Sequence, residues 1–361
     1  MRGTVLHKRA VALAAHRLRM HRERGGAAIH HRGMAPGLPT ARHGFVLARD
    51  ARAAGREAEL YAAVRAGSLE RVRVGVYRHP SPDEQMLPRP RLAAIRYLAQ
   101  VRAAGMSLQA PVFTSYSAIA LAGLPIVGQW PSHVFTMSAD TSGSRRGDVR
   151  AVARTADVPT IATGGYATTT IEFSLIQLAR HATIAAALVA TDAALLLSRG
   201  RDPRPPLTTV DALRAEHERL LPYHGSRRVE AVITRATSRA DGPLETMSRI
   251  VIEEFGFPAP VLQQRMDLDE LGRTAYLDFF WPEHGVAAEA DGRGKYLGDG
   301  ADATVEAVLD EKAREDAIRA RVDGFARWDW SEMWRREPVR ARLARAGLPV
   351  VRRPVRLIIT R

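Results

Sequence analysis

Tyr276-Leu-Asp-Phe-Phe-Trp-Pro-Glu-His-Gly-Val-Ala-Ala-Glu-Ala-Asp-Gly-Arg-Gly-Lys-Tyr296 sets two strand-like apolar runs on either side of Pro282-Glu-His-Gly285. A connection of this length suits a hairpin. With Trp281 facing Val286, counting back puts Asp278 opposite Glu289. Directly opposed residues have Cβ atoms roughly 4.5–5.5 Å apart, and like charges there destabilise. Asp291 lies two residues beyond Glu289 and so points to the same face. Carboxylates embedded in apolar runs are costly. Spacing alone leaves two readings open. Either a hard cation such as Mg²⁺ or Mn²⁺ sits among the acids, or they lie on the solvated face of a half-exposed hairpin.

Working outward, the expected order is helix, three strands, helix, strand, an αβββαβ arrangement. Gly242-Pro243 opens a helix that continues to Phe255, with Pro at the first helical position. Glu245 is then the third residue, where a Glu often reaches back to the helix start. A strand at Val261–Leu268 precedes the hairpin. A helix over 302–322 follows it, with an apolar stripe of Val305, Val308, Leu309, Ala313 and Ala320. Lys312 and Asp316 fall on that stripe, where charges are disfavoured unless paired. Lys312 is therefore expected to turn back toward the carboxylates. A strand at 325–330 and a helix at 332–345 complete the region.

The whole chain has 361 residues, enough for several domains with proper cores. No apolar run approaches the roughly 18 residues of a membrane span. The N-terminus has no apolar h-region, so export by a standard signal is not expected. Cysteine is absent, which excludes disulfides and thiolate metal sites and points to a cytoplasmic protein. The formal net charge of +14 is carried almost wholly by Arg and suggests a polyanionic partner, DNA first. Charge of this kind supports only weak, salt-sensitive binding unless specific contacts add to it.

Residues 1–37 read as a basic, disordered arm, with a short helix at 6–24 and an adjacent His30-His31 pair without evident metal chemistry. Residues 38–80 read as a winged helix-turn-helix. Thr40 caps a helix through Ala53, and a second helix runs over 57–66. Residues 69–78 alternate apolar and basic residues as a wing. The second helix would enter the major groove, with Arg71, Arg73 and Arg78 reaching phosphates. A proline-rich linker leads to a mixed α/β middle region, 91–240. It holds helices at 91–104 and 170–198 and strand-like pieces at 112–114, 133–137, 149–154 and 161–163. Ala162-Thr-Gly-Gly-Tyr166 is read as a turn, and Ser115, Ser117 and His133 form no catalytic arrangement.

The C-terminal order, with Glu245-Thr-Met-Ser-Arg249, Gly256-Phe-Pro-Ala-Pro260, Leu277-Asp-Phe-Phe-Trp-Pro282, Glu289-Ala-Asp-Gly292, Lys295-Tyr296 and Glu311-Lys-Ala-Arg-Glu-Asp316, resembles the PD-(D/E)XK nuclease superfamily. It is closest to the branch related to very-short-patch-repair endonucleases, frequent in actinobacteria. The resemblance covers about 242–347 and implies a restriction-endonuclease-like domain. It also implies a Mg²⁺- or Mn²⁺-dependent endonuclease that hydrolyses DNA phosphodiesters, in phage defence or repair. Glu245, Asp278 and Glu289 would be the metal ligands. Asp291 stands where the superfamily's name places lysine, and Lys295 or Lys312 would supply the missing cation.

Residues 69–77, Thr114-Ser-Tyr-Ser-Ala118, Leu121-Ala-Gly-Leu124 and Thr170-Ile-Glu172 are similar to proteins with an AbiEi-antitoxin-like N-terminal domain. Phe173-Ser174 departs from the Arg-Thr pair usual in relatives, and Gln177 stands where an acid is common. That resemblance implies a repressor of a toxin–antitoxin operon with a cognate toxin as partner. The alternative function is thus a non-enzymatic, antitoxin-like repressor with a degenerate nuclease fold.

Overall fold

The computed structural model describes residues 37–197, 205–292 and 305–357. The expected basic arm, the His30-His31 pair and Lys295 lie outside them. The chain divides into two compact units, one ending at Leu69 and one beginning at Glu70. The boundary falls inside the expected winged module of 38–80. Among the described residues no helix is long and apolar enough to cross a membrane.

In the first unit, a turn of 3₁₀ helix leads to strand β1 (Phe45–Leu47), helix α1 (Ala48–Ala53) and helix α2 (Glu57–Arg65). The helix expected from Thr40 is thus a short strand followed by a helix that starts only at Ala48. Phe45, Val46 and Leu47 are all buried, so the run carries no helical periodicity for a solvent face to show. Gly55, at a left-handed φ of 67°, turns the chain between the helices.

The second unit opens with hairpin β2 (Glu70–Arg73) and β3 (Val76–Arg78), antiparallel as the alternation predicts. Helix α3 (Arg89–Ser107), helix α4 (Ser115–Leu121) and strands β4 (Val134–Met137), β5 (Ser144–Arg146) and β6 (Val149–Val152) follow. In that sheet β6 lies between β4 and β5. Strands β7 (Thr160–Thr163) and β8 (Tyr166–Thr169) form a hairpin through Gly164-Gly165. Both glycines have positive φ, as the glycine-rich turn requires.

The apolar run expected as one helix is two, α5 (Ile171–His181) and α6 (Ile184–Leu195). Thr183 makes the break, because its hydroxyl accepts from the Ala186 N–H at 3.1 Å and caps the second helix. Helices α7 (Val210–Leu220) and α8 (Ser226–Ile233) were not foreseen.

The remaining elements are α9 (Pro243–Glu254), β9 (Val261–Leu268), β10 (Arg273–Trp281), β11 (Val286–Asp291), α10 (Val305–Arg319), β12 (Gly324–Asp329), α11 (Trp330–Arg335) and α12 (Glu337–Arg345). The order is αβββαβ, followed by two short helices. The four strands form one sheet in sequence order, antiparallel except for the β11–β12 pair. The crossover helix α10 is what a parallel connection needs. Gly285 closes the β10–β11 hairpin at a φ of 57°, and a Cβ there would collide with the Asp323 side chain.

The boundary expected near 241 does not separate two cores. One apolar cluster includes Tyr97, Leu188, Met247, Phe279, Trp328 and Leu343, and so spans the middle and C-terminal regions. A polar joint accompanies it. Asp192 on α6, 1% exposed, takes Arg249 Nη1 at 2.8 Å, Thr246 Oγ1 at 2.8 Å and the Thr237 N–H at 2.9 Å. Removing one partner of a buried pair leaves the other charge uncompensated, at a cost of about 3–5 kcal/mol. Asp192→Ala is expected to lower the unfolding free energy by about that amount in urea titrations. A loss below about 1 kcal/mol would show that this joint contributes little.

Candidate functional site

Strands β10 and β11 pair in the expected register, Trp281 with Val286, Phe280 with Ala287 and Phe279 with Ala288. Ala275, Leu277, Phe279 and Trp281 are buried and Asp278 lies half-buried on the opposite face, the period of a pleated strand. Asp278 Oδ2 accepts the Ala290 N–H at 2.9 Å, and its Oδ1 accepts Gln263 Nε2 at 3.1 Å. The same Gln263 nitrogen donates to Glu245 Oε2 at 3.1 Å. Glu245 also accepts the Asp241 N–H at 2.9 Å, so it reaches back to the start of α9 and approaches Asp278 at once.

One amide thus holds two carboxylates together. Gln263 lies across from Asp278, between the pairs Leu277–Gln264 and Phe279–Leu262. Its φ is 51°, a left-handed conformation that costs a non-glycine residue about 1–2 kcal/mol. Strained residues of this kind gather at functional positions. Burial first, and the Asp278 charge second, push the Glu245 carboxyl up to about 8.

The other acids are engaged differently. Glu289 is 6% exposed, and Arg314 grips it with Nη2 at 2.6 Å from Oε1 and Nη1 at 3.4 Å from Oε2. Arg314 also binds Glu311 at 3.1 Å. Asp291 faces Arg327 at 3.1 Å, and Arg327 in turn holds Glu315 at 2.6 Å. Lys312 is exposed, contrary to expectation. The buried face of α10 carries Ala317 and Ile318, while Leu309 is 61% exposed, so the helix is rotated from the assumed stripe. That rotation presents Arg314 to the sheet. Its spacing of three and four residues from Ala317 and Ile318 was the sequence signal for it.

The three acids expected as metal ligands are therefore split. Glu245 and Asp278 meet at Gln263, and Glu289 is committed to a guanidinium. Among the described residues no group of three or more His, Asp or Glu is placed to hold a metal ion. As arranged, these side chains do not fit a three-carboxylate Mg²⁺ or Mn²⁺ site.

The three expected DNA-contacting arginines also differ from one another. Arg78 is paired with Glu70 at 2.5 Å and with Glu84 at 2.7 Å. Arg73 donates to Asp148 at 2.9 Å and Ser107 at 3.1 Å. Arg71 is exposed and has no ion pair among the described residues. The Glu70–Arg78 pair lies directly across the hairpin, so its register contained that signal. Ser117 bonds Tyr97 and the Phe135 N–H, and His133 bonds Ser132. They make no catalytic arrangement with Ser115.

A family model described as a transcriptional regulator, AbiEi antitoxin, matches residues 40–80. No curated protein and no solved structure gives a match.

The Glu245 environment has a measurable consequence. Its folded value lies above its ordinary 4.5, so the native protein holds this proton more tightly than the unfolded chain. The resulting stability is complete below about 4.5 and is lost as pH rises toward about 8. The urea midpoint of the wild type is expected to drop more than that of Glu245→Gln between about pH 5 and about pH 8. Equal drops would mean that Glu245 is not held in this way.

Proposed function

We propose that the chain is a DNA-binding transcriptional regulator of the AbiEi antitoxin kind, with a cognate toxin as its protein partner. The match at 40–80 carries this reading. Two short helices followed by a basic hairpin agree with it, as does the formal net charge of +14. On this reading Arg71 supplies the free cation of the hairpin, whereas Arg73 and Arg78 hold the hairpin to its own unit. The arginines seated on Glu289 and Asp291 support a C-terminal region with a structural or partner-binding role.

A second reading is a Mg²⁺- or Mn²⁺-dependent endonuclease acting on DNA. One observation favours it: Glu245 and Asp278 converge on a strained Gln263 within an αβββαβ frame. The resemblance to PD-(D/E)XK nucleases belongs to this reading.

The two are separated by paired measurements. Fluorescence anisotropy on the duplex upstream of the chain's own reading frame is expected to show binding. Arg71→Ala should weaken it and lower the salt slope by about 1, the effect of one lost phosphate contact. Arg78→Ala is expected to act first on thermal stability. Binding unchanged in Arg71→Ala would remove the hairpin from DNA recognition. Plasmid nicking that needs Mg²⁺ or Mn²⁺ and disappears in Asp278→Ala would favour the endonuclease.

A further inference from the structure

A cleft of about 1310 Å³ lies within the second unit, away from the carboxylates described above. Its walls come from the β4–β6 sheet, the segment 127–133, the junction of α5 and α6, helix α8 and helix α11. Arg145, Arg150, Arg180 and Arg228 line it, together with His133 and His181, and among the described residues no Asp or Glu does. None of the four arginines has a carboxylate partner among the described residues. Arg180 donates to the His224 carbonyl and to Gln177, and Arg150 lies 5.6 Å from the Phe135 ring centre.

Elsewhere in the second unit several arginines are neutralised. Arg235, Arg249, Arg314, Arg327 and Arg342 each take a carboxylate. Four like charges around one space repel one another, and a low-dielectric wall raises the local potential further. His181 feels that field. Burial, then Arg150 and Arg180, push its imidazole down to about 4. Helix α6 begins at the same wall, where Thr183 and Ala186 line the cleft, and adds the positive end of its dipole.

The cleft also offers flat aromatic surface. Trp130 lines it, stacked on Tyr97 at 4.9 Å, and Trp334 lines it while 45% exposed. Arginines alone would suit any anion, including an acidic peptide. Arginines beside the half-buried Trp130 and the exposed Trp334, itself stacked on Trp330, suit an anion that also carries planar rings. The volume exceeds the roughly 300–1,000 Å³ typical of a pocket for one small ligand. In a duplex the base faces are already stacked on each other, so the indoles favour unpaired bases.

We propose that this cleft binds nucleotide units, with phosphates on Arg145, Arg150, Arg180 and Arg228 and a base against Trp334 or Trp130. The shared chemistry has two sources, an unpaired nucleic-acid strand or a free nucleotide, and the size of the cleft favours a strand. The inference does not depend on the regulator reading, since it concerns the second unit and single-stranded ligand.

The test uses the full chain and a labelled oligo-dT of about 12 nucleotides, followed by anisotropy and tryptophan quenching. Wild type is expected to bind with quenching. Arg145→Ala/Arg150→Ala should bind at least about 10-fold more weakly, with a salt slope shallower by about 0.7 per arginine removed. Trp334→Ala should weaken binding by about 10-fold and reduce the quenching. Arg145→Ala alone, at an exposed residue without an ion pair among the described residues, keeps the test valid if the double variant misfolds. Displacement of the strand by ATP at equal site concentration, with the same arginine dependence, assigns the cleft to a free nucleotide and supports the shared chemistry. Strand binding unchanged in all the variants overturns the proposal. So does no binding of either oligo-dT or ATP, or poly-glutamate binding with the same arginine dependence and affinity.

Discussion

A carboxylate buried in a strand must meet a cation, and Glu289 on β11 imposes that demand on everything around it. Leaving such a charge unpaired would cost several kcal/mol. Arg314 answers it with a two-nitrogen grip, and the answer fixes the rotation of α10 over the sheet. Because α10 connects β11 to β12, the same contact helps set the parallel pairing of those strands. Arg327 repeats the arrangement one strand over, between Asp291 and Glu315. Positive charge at this sheet is thus supplied by the protein's own guanidinium groups.

Neighbouring acids are arranged on a different principle. Glu245 and Asp278 share one neutral amide. Burial first, and then the Asp278 charge, raise the Glu245 carboxyl above its ordinary range, and the Gln263 amide offsets this only in part. One pair of acids, neutralised by arginines, thus lies beside a second pair joined through the strained Gln263. The first supports a structural role, and the second is the feature that keeps a hydrolytic reading alive.

Much of this was legible in the chain, for identifiable reasons. The β10–β11 register followed from a four-residue connection and from alternating apolar residues that end at Trp281. The helix before it was marked by Gly242-Pro243, and the Gly164-Gly165 turn by its glycines. What failed had too little contrast to read. Phe45-Val46-Leu47 is buried throughout, so strand and helix look alike. The run from 171 to 195 keeps a helical apolar pattern on both sides of Thr183, whose cap divides it. On α10, the apolar stripe that includes Leu309 makes Lys312 look inward-facing. The true inner face is Ala317 and Ile318, a phase that depends on packing against the sheet. Nor does linker composition near 241 reveal that Asp192 and Arg249 join the helices on either side.

The most direct measurement is a DNase protection experiment on the duplex upstream of the chain's own reading frame, with Mg²⁺ present. The account predicts one discrete protected stretch on DNA that stays intact. No protected stretch, or Mg²⁺-dependent cleavage that is lost in Asp278→Ala, would contradict it.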